Sequence, residues 1–236
     1  GTVKEELLDE AVLRILNLKN KLGLFENPYK DADEAKEREI ILCKEHRQVS
    51  LEAAEKSFVL LKNDGILPIK KQEKVAFIGP FVEEKEIYGT WSMLGRPEDS
   101  VSIADAAKKC KMDYELTFAK GCNILGEEDR NLIPELHGKA IKQEDQENML
   151  TEAVEAAKNA DKVILALGEH RHMSGEAASR ADITLPKVQE KLLRAIYEVN
   201  PNIAVILFTG RPLDLREVSG KSKAILNVWM PGTEGG

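Results

Sequence analysis

Val75-Ala-Phe-Ile-Gly79 is a short apolar run between polar segments, the pattern of a strand covered on both faces. Runs of the same kind recur at Tyr114–Ala119, Val163–Leu167, Ile203–Phe208 and Ala224–Trp229. Helical patterns lie between them, notably over 148–160 and 186–199, the second opening at Leu185-Pro186, where proline suits a first helical turn. Strands alternating with helices over short connections predict an α/β fold. Its sheet is mostly parallel, five- to six-stranded and flanked by helices, as in a flavodoxin-like α/β sandwich. In such sheets the ligand crevice lies beyond the C-terminal strand ends. Trp229, ending an apolar run, is expected in the core.

Upstream of Val75 the period is helical. Leu7, Leu8, Ala11, Val12, Ile15, Leu16 and Leu18 follow spacings of three and four within residues 3–22, which places most of them on one helix face. Gly23 is a natural C-cap, and the charged stretch 30–38 reads as a linker. A second helical pattern over about 36–63 ends at Asn63-Asp64-Gly65. This organisation gives a helix and linker over 1–40 and an α/β domain over 41–236. The chain opens inside a helical pattern and stops in a turn at Pro231–Gly236, so a piece of a longer protein is expected, truncated at the C-terminal end of the α/β domain.

Composition narrows the function classes. Lys plus Arg number 34 against 41 Asp plus Glu, a net charge of −7, which argues against nucleic acid as a partner. No run approaches the roughly 18 apolar residues of a membrane span, so no membrane partner is expected. Cys43, Cys110 and Cys122 lack metal-type spacing, and a sparse, odd set suits free thiols in a reducing compartment; the expected localisation is cytoplasmic. A Cys110–Cys122 disulfide stays open as the alternative. Oligomeric state is left open.

Four strand-end loops are candidates for chemistry: Gly79-Pro80 through Gly95, Ala119–Cys122, Gly168–Arg180 and Thr209–Pro212. None carries G-x-G-x-x-G or G-x-x-x-x-G-K-[ST], so no nucleotide cofactor is expected. The third loop is richest, with Glu169, Glu176, His170, His172, Arg171 and Arg180 within thirteen residues. A carboxyl on such a loop can be carried into a desolvated pocket and serve as a general acid near neutral pH; a solvated charged loop is the competing reading. His170-x-His172 has no evident third ligand, so no metal is expected.

Several segments, in one order, resemble family 3 glycoside hydrolases of the β-glucosidase type. They are Glu45-His-Arg47, Ala53 through Pro68, Val75 through Pro80, Gly89-Thr-Trp-Ser92, Ala119 through Cys122, Ser174 through Pro186, Thr209 through Pro212 and Trp229 through Gly236. The resemblance implies a TIM-like barrel followed by this α/β sandwich, with the active site between them. Residues 3–22 would then be the last barrel helix and about 24–40 the interdomain linker. The missing N-terminal barrel would supply an aspartate nucleophile, and Glu176 matches the acid/base glutamate. Retaining chemistry on a terminal β-D-glucosyl residue of a β-glucoside or short β-glucan is implied, with the fragment inactive by itself. Trp91, Ser92, Arg180 and Glu169 are the accompanying substrate-binding candidates, with loop anchoring as the other reading of Arg180 and Glu169. The alternative function is a noncatalytic carbohydrate-binding or degenerate domain of the same fold.

Overall fold

The computed structural model describes residues 2–110, 114–132 and 143–236. The chain divides into two compact units, residues 1–46 and 47–236. In the first, α1 (Glu5–Lys21) forms where the periodicity predicts it, with acidic Glu5 and Glu6 in its first turn and Lys19 and Lys21 in its last, matching the helix dipole. Its end closes by paired bonds, Gly23 N to Asn20 O at 2.9 Å and Leu24 N to Lys19 O at 3.0 Å. No residue of α1 is buried. Leu7, Leu8, Val12, Ile15 and Leu16 are all exposed. A short helix, α2 (Glu34–Ile40), is capped by Asp33, whose carboxylate accepts from Ala35 N and Lys36 N.

The single helix expected over 36–63 is instead α2, α3 (Lys44–Ser57) and a strand, β1 (Val59–Asn63). Ile41 leaves the helical region with ψ 126°, and Leu42 follows with φ 57°. Val59-Leu-Leu then gains a backbone ladder by pairing antiparallel with β6. Non-local pairing of β-branched and apolar residues overrides a helical spacing pattern that is only local.

The remaining strands fall where the apolar runs predict: β2 (Lys74–Ile78), β3 (Glu115–Ala119), β4 (Lys162–Gly168), β5 (Ile203–Phe208) and β6 (Ala224–Trp229). Between them lie α4 (Ile103–Lys109), α5 (Gln143–Lys158), α6 (Lys187–Val199) and α7 (Arg216–Lys221). The sheet order is β1-β6-β5-β4-β2-β3, parallel except for the β1–β6 pair. Counted in chain order, the five parallel strands run 2-1-3-4-5, the flavodoxin-like arrangement, whose switch point lies between β2 and β4. Part of the segment 122–149, read from sequence as an unassigned acidic insertion, falls at 133–142 and lies outside the described residues.

Both sheet faces are covered. On one, Leu192, Leu193 and Ile196 of α6 and Ala153 and Ala157 of α5 pack with Val163, Leu165, Leu167 and Val205. On the other, Phe81, Ala166, Phe208 and Val228 cluster with Ala104 of α4; the Phe81 and Phe208 rings stack at 4.7 Å. Pro186 is the N-cap of α6 and has no side-chain acceptor, so buried Asp129 acts from a distance. Its carboxylate accepts from Lys187 N at 3.2 Å and from Gly126 N at 3.0 Å. Trp229 departs from the core expectation. The β5–β6 register slips after Leu207, pairing Leu207 with Asn227 and Phe208 with Trp229; such a bulge re-aims the next side chain. Trp229 has φ 56° and is 36% exposed. Cys110 is exposed, Cys122 buried, and both are free.

Candidate active-site loop

The loop after β4 starts at a strand end that is held from two sides. Gly168 N donates to Gln189 Oε1 at 2.8 Å, and Gln189 Nε2 donates back to Gly168 O at 2.8 Å and to Ile124 O at 2.7 Å. Gln189 lies on the first turn of α6 and is fully buried. An amide that both donates and accepts can satisfy both backbone groups of a strand residue whose pairing with β2 has ended while that with β5 continues. The next residue, Glu169, therefore enters the loop from a fixed point.

Glu169 is 0% exposed. Its Oε1 accepts from Arg180 Nη1 at 2.8 Å and stands 3.3 Å from Arg211 Nε, an ion pair rather than an aligned hydrogen bond. Its Oε2 accepts from the Thr209 hydroxyl at 2.7 Å and from Gly210 N at 3.3 Å. A buried carboxylate is tolerated when its charge and lone pairs are met in this way. Arg180 also donates from Nη2 to Thr184 O at 3.1 Å, so this ion pair ties the start of the loop to its return limb. The two residues expected near substrate, Glu169 and Arg180, are thus bonded to each other.

Glu176 lies at the turn between these anchors and is exposed. Gly175 precedes it with φ 106°, a region that side chains rarely adopt, and Ala177 follows with φ 58°. The limb before Glu176 is gripped by the loop after β2. The Thr90 hydroxyl faces the carbonyls of Arg171 and Ser174, the latter at 2.8 Å, and a Cβ at Gly175 would stand 3.4 Å from Thr90 Cγ2. Arg171 donates to the Tyr88 hydroxyl at 3.2 Å and lies over the Tyr88 ring at 5.1 Å; desolvation holds that phenol above its ordinary value of 10.0.

Thr90 is joined in sequence to Trp91 and Ser92, so the structure brings these two candidates to the loop that carries Glu176. Trp91 is 64% exposed, and Met93 and Leu94 beyond it are more so. From the third side comes the loop after β5. Gly210 approaches so closely that a Cβ there would fall 1.9 Å from Ser174 Oγ, and Arg211 Nη2 donates to Met173 O and, at 2.6 Å, to Ala178 O. Thr90 and Arg211 lie within loop segments singled out above, Gly89-Thr-Trp-Ser92 and Thr209 through Pro212, but their contacts with the Glu176 loop are not written there, and Gln189 lies outside every such segment. A cavity of about 490 Å³ opens at the ends of β2 and β3, lined by Pro80, Glu83, Lys85, Phe118, Lys120 and Glu152 among others; none of the five candidates is in its lining.

Comparison with known proteins gives the chain its family. The family model described as Glycosyl hydrolase family 3 C-terminal domain matches residues 58–236. The periplasmic beta-glucosidase of Salmonella typhimurium is 34% identical over 244 residues, covering 100% of this chain and 32% of that protein. A beta-xylosidase of Formosa agariphila is 35% identical over 238 residues, covering 97% of this chain and 30% of the relative. The chain therefore spans about a third of the length of these curated relatives. A crystal structure of beta-glucosidase from Listeria innocua in complex with isofagomine superposes with a TM-score of 0.81 at 35% identity, covering 100% of this chain and 30% of that one. The chain belongs to glycosyl hydrolase family 3, and residues 58–236 are that family's C-terminal domain.

Proposed function

We propose that this chain is the acid/base-bearing part of a retaining β-glucosidase, completed by a barrel domain of the same protein that supplies an aspartate nucleophile. The observation that carries the reading is the opposite fate of two carboxylates in one loop. Glu169 is buried and held by two guanidiniums, so it has no free role in proton transfer. Glu176 is presented to solvent on a turn whose limbs are fixed by Thr90 and Arg211.

A retaining glycosidase needs two carboxyl groups about 5–5.5 Å apart in different protonation states. Glu176 would protonate the departing oxygen while the barrel aspartate attacks the anomeric carbon. As a carboxylate it would then take a proton from the water that releases the sugar. The desolvation and neighbouring negative charge that keep the acid protonated would come from the barrel. Trp91, with Met93 and Leu94, would form an apolar wall for the leaving sugar, and Ser92 would donate a hydrogen bond beside it. Glu169 and Arg180 would hold the loop rather than touch substrate.

The test uses the full-length protein and its Glu176→Ala variant on aryl β-glucosides. For a poor leaving group, kcat/KM is expected to fall by about 10²–10⁴, and for 2,4-dinitrophenolate, which needs no proton, by less than about tenfold. Equal loss on both, or none, would move the acid elsewhere. Aryl β-xylosides run in parallel are expected to be poorer substrates than the glucosides.

A further inference from the structure

We infer that Arg211 is the positioning residue for the acid/base, bridging the two limbs of the Glu176 turn so that the carboxyl is held at one height above the C-terminal ends of β4 and β5. The inference rests on the reading of Glu176 given above and concerns a residue outside the loop that bears it. Arg211 Nη2 carries two hydrogens and meets two carbonyls, Met173 O before Glu176 and Ala178 O after it. These limbs have no ladder to fix their separation, since the segment is neither helix nor strand from Ser174 onward. A planar fork with both protons engaged sets that separation in a way that a point charge does not.

Arg211 is itself aimed. Its Nε faces Glu169 Oε1 at 3.3 Å, and its backbone N donates to Thr209 Oγ1 at 3.1 Å. The same Thr209 hydroxyl reaches Glu169 Oε2 at 2.7 Å. Glu169 thus orients two arginines with different tasks. Arg180 ties the loop's return limb at Thr184, and Arg211 ties the turn itself. The close approach of Gly210 to Ser174 is independent of these bonds and places the β5 loop against the same limb. A small outward movement of the turn would withdraw the proton donor from the leaving oxygen, and misplacement by about 1 Å costs on the order of 10²-fold in rate.

The experiment takes the full-length protein with Arg211→Ala, Arg211→Lys and Glu176→Ala, each confirmed folded by circular dichroism. For Arg211→Ala, kcat/KM on a poor-leaving-group glucoside is expected to drop about 100-fold, with the dinitrophenyl glucoside changed less than about fivefold. Guanidinium added to this variant is expected to restore much of the loss. Arg211→Lys, which reaches one limb only, is expected to lose at least about tenfold on the poor leaving group alone; it carries the test if the alanine variant does not fold. Loss of equal size on both substrates, or a lysine variant with wild-type kinetics, would overturn the inference. If Glu176→Ala shows the leaving-group dependence and the Arg211 variants do not, only the role of Arg211 fails. If Glu176→Ala lacks it, the acid assignment fails first.

Discussion

Glu169 and Glu176 share one loop and meet opposite surroundings, and the charge of the loop alone does not say which of them is buried. Glu169 precedes His170-Arg-His172, and Glu176 sits between Gly175 and Ala177. The difference comes from Thr209, Gly210 and Arg211, more than thirty residues away, which the fold delivers to Glu169. Gly210 is the residue where this approach is tightest. Gly210→Ala would drive a methyl into Ser174 Oγ, and overpacking of this kind is expected to cost about 1–3 kcal/mol, read from the urea midpoint. Cys122 gives a second check at this scale. Burial pushes its thiol from 9.0 up to about 12, so the reactive thiolate is nearly absent at neutral pH. Alkylation at pH 8 is expected to label exposed Cys110 quickly and to spare Cys122 until the protein is unfolded; early labelling of Cys122 would contradict its enclosure.

At the scale of elements, legibility followed the amount of signal that stays local. The β5 and β6 runs were readable to the residue because strands covered on both faces are apolar almost throughout, Asn227 being the one polar residue in the two. β1 was hidden, since Val59-Leu-Leu-Lys-Asn63 continues a helical spacing and becomes a strand only by pairing with β6. The bulge that turns Trp229 outward was hidden for the same reason. Among helices, α6 carries much of the core through Leu192, Leu193 and Ile196, all fully buried. Leu192→Ala is expected to destabilise by about 2–5 kcal/mol. Gln189 on the same helix does a different job. Gln189→Ala would leave Gly168 N–H and C=O without partners in a buried site, with an expected cost of about 2–4 kcal/mol. Urea unfolding of both variants checks these values, and a change below about 0.5 kcal/mol in either would contradict the packing described.

Across the whole molecule, the alternation of strands and helices made a mostly parallel sheet flanked by helices an expectation, and the strand order, which the sequence leaves open, is the flavodoxin-like one. The same order brings the loops after β2, β4 and β5 together beside the switch point, so Thr90, Gly210 and Arg211 all meet the loop that bears Glu176 although they are distant in sequence. Charge pairs set the acid response of the fold. Arg194 holds Glu217 below its ordinary 4.5, Lys162 does the same for Glu73, Lys85 lowers Asp105, and Arg216 brings Asp214 from 3.8 down to about 2. Lowered carboxylates stabilise the fold fully above their unfolded values and lose that contribution as pH falls through the folded ones. Stability measured by thermal unfolding is therefore expected to decline from about pH 4.5 towards pH 2 and, from Cys122, again as pH rises from 9 towards 12. A flat profile below pH 4.5 would contradict these pairings. The account's centre is Glu176 as the group that gives and takes the proton, and azide tests it most directly. With full-length Glu176→Ala and dinitrophenyl β-glucoside, added azide is expected to raise turnover and yield β-glucosyl azide, because a small anion needs no general base to attack the glycosyl–enzyme. Turnover indifferent to azide, with glucose as the only product, would contradict it.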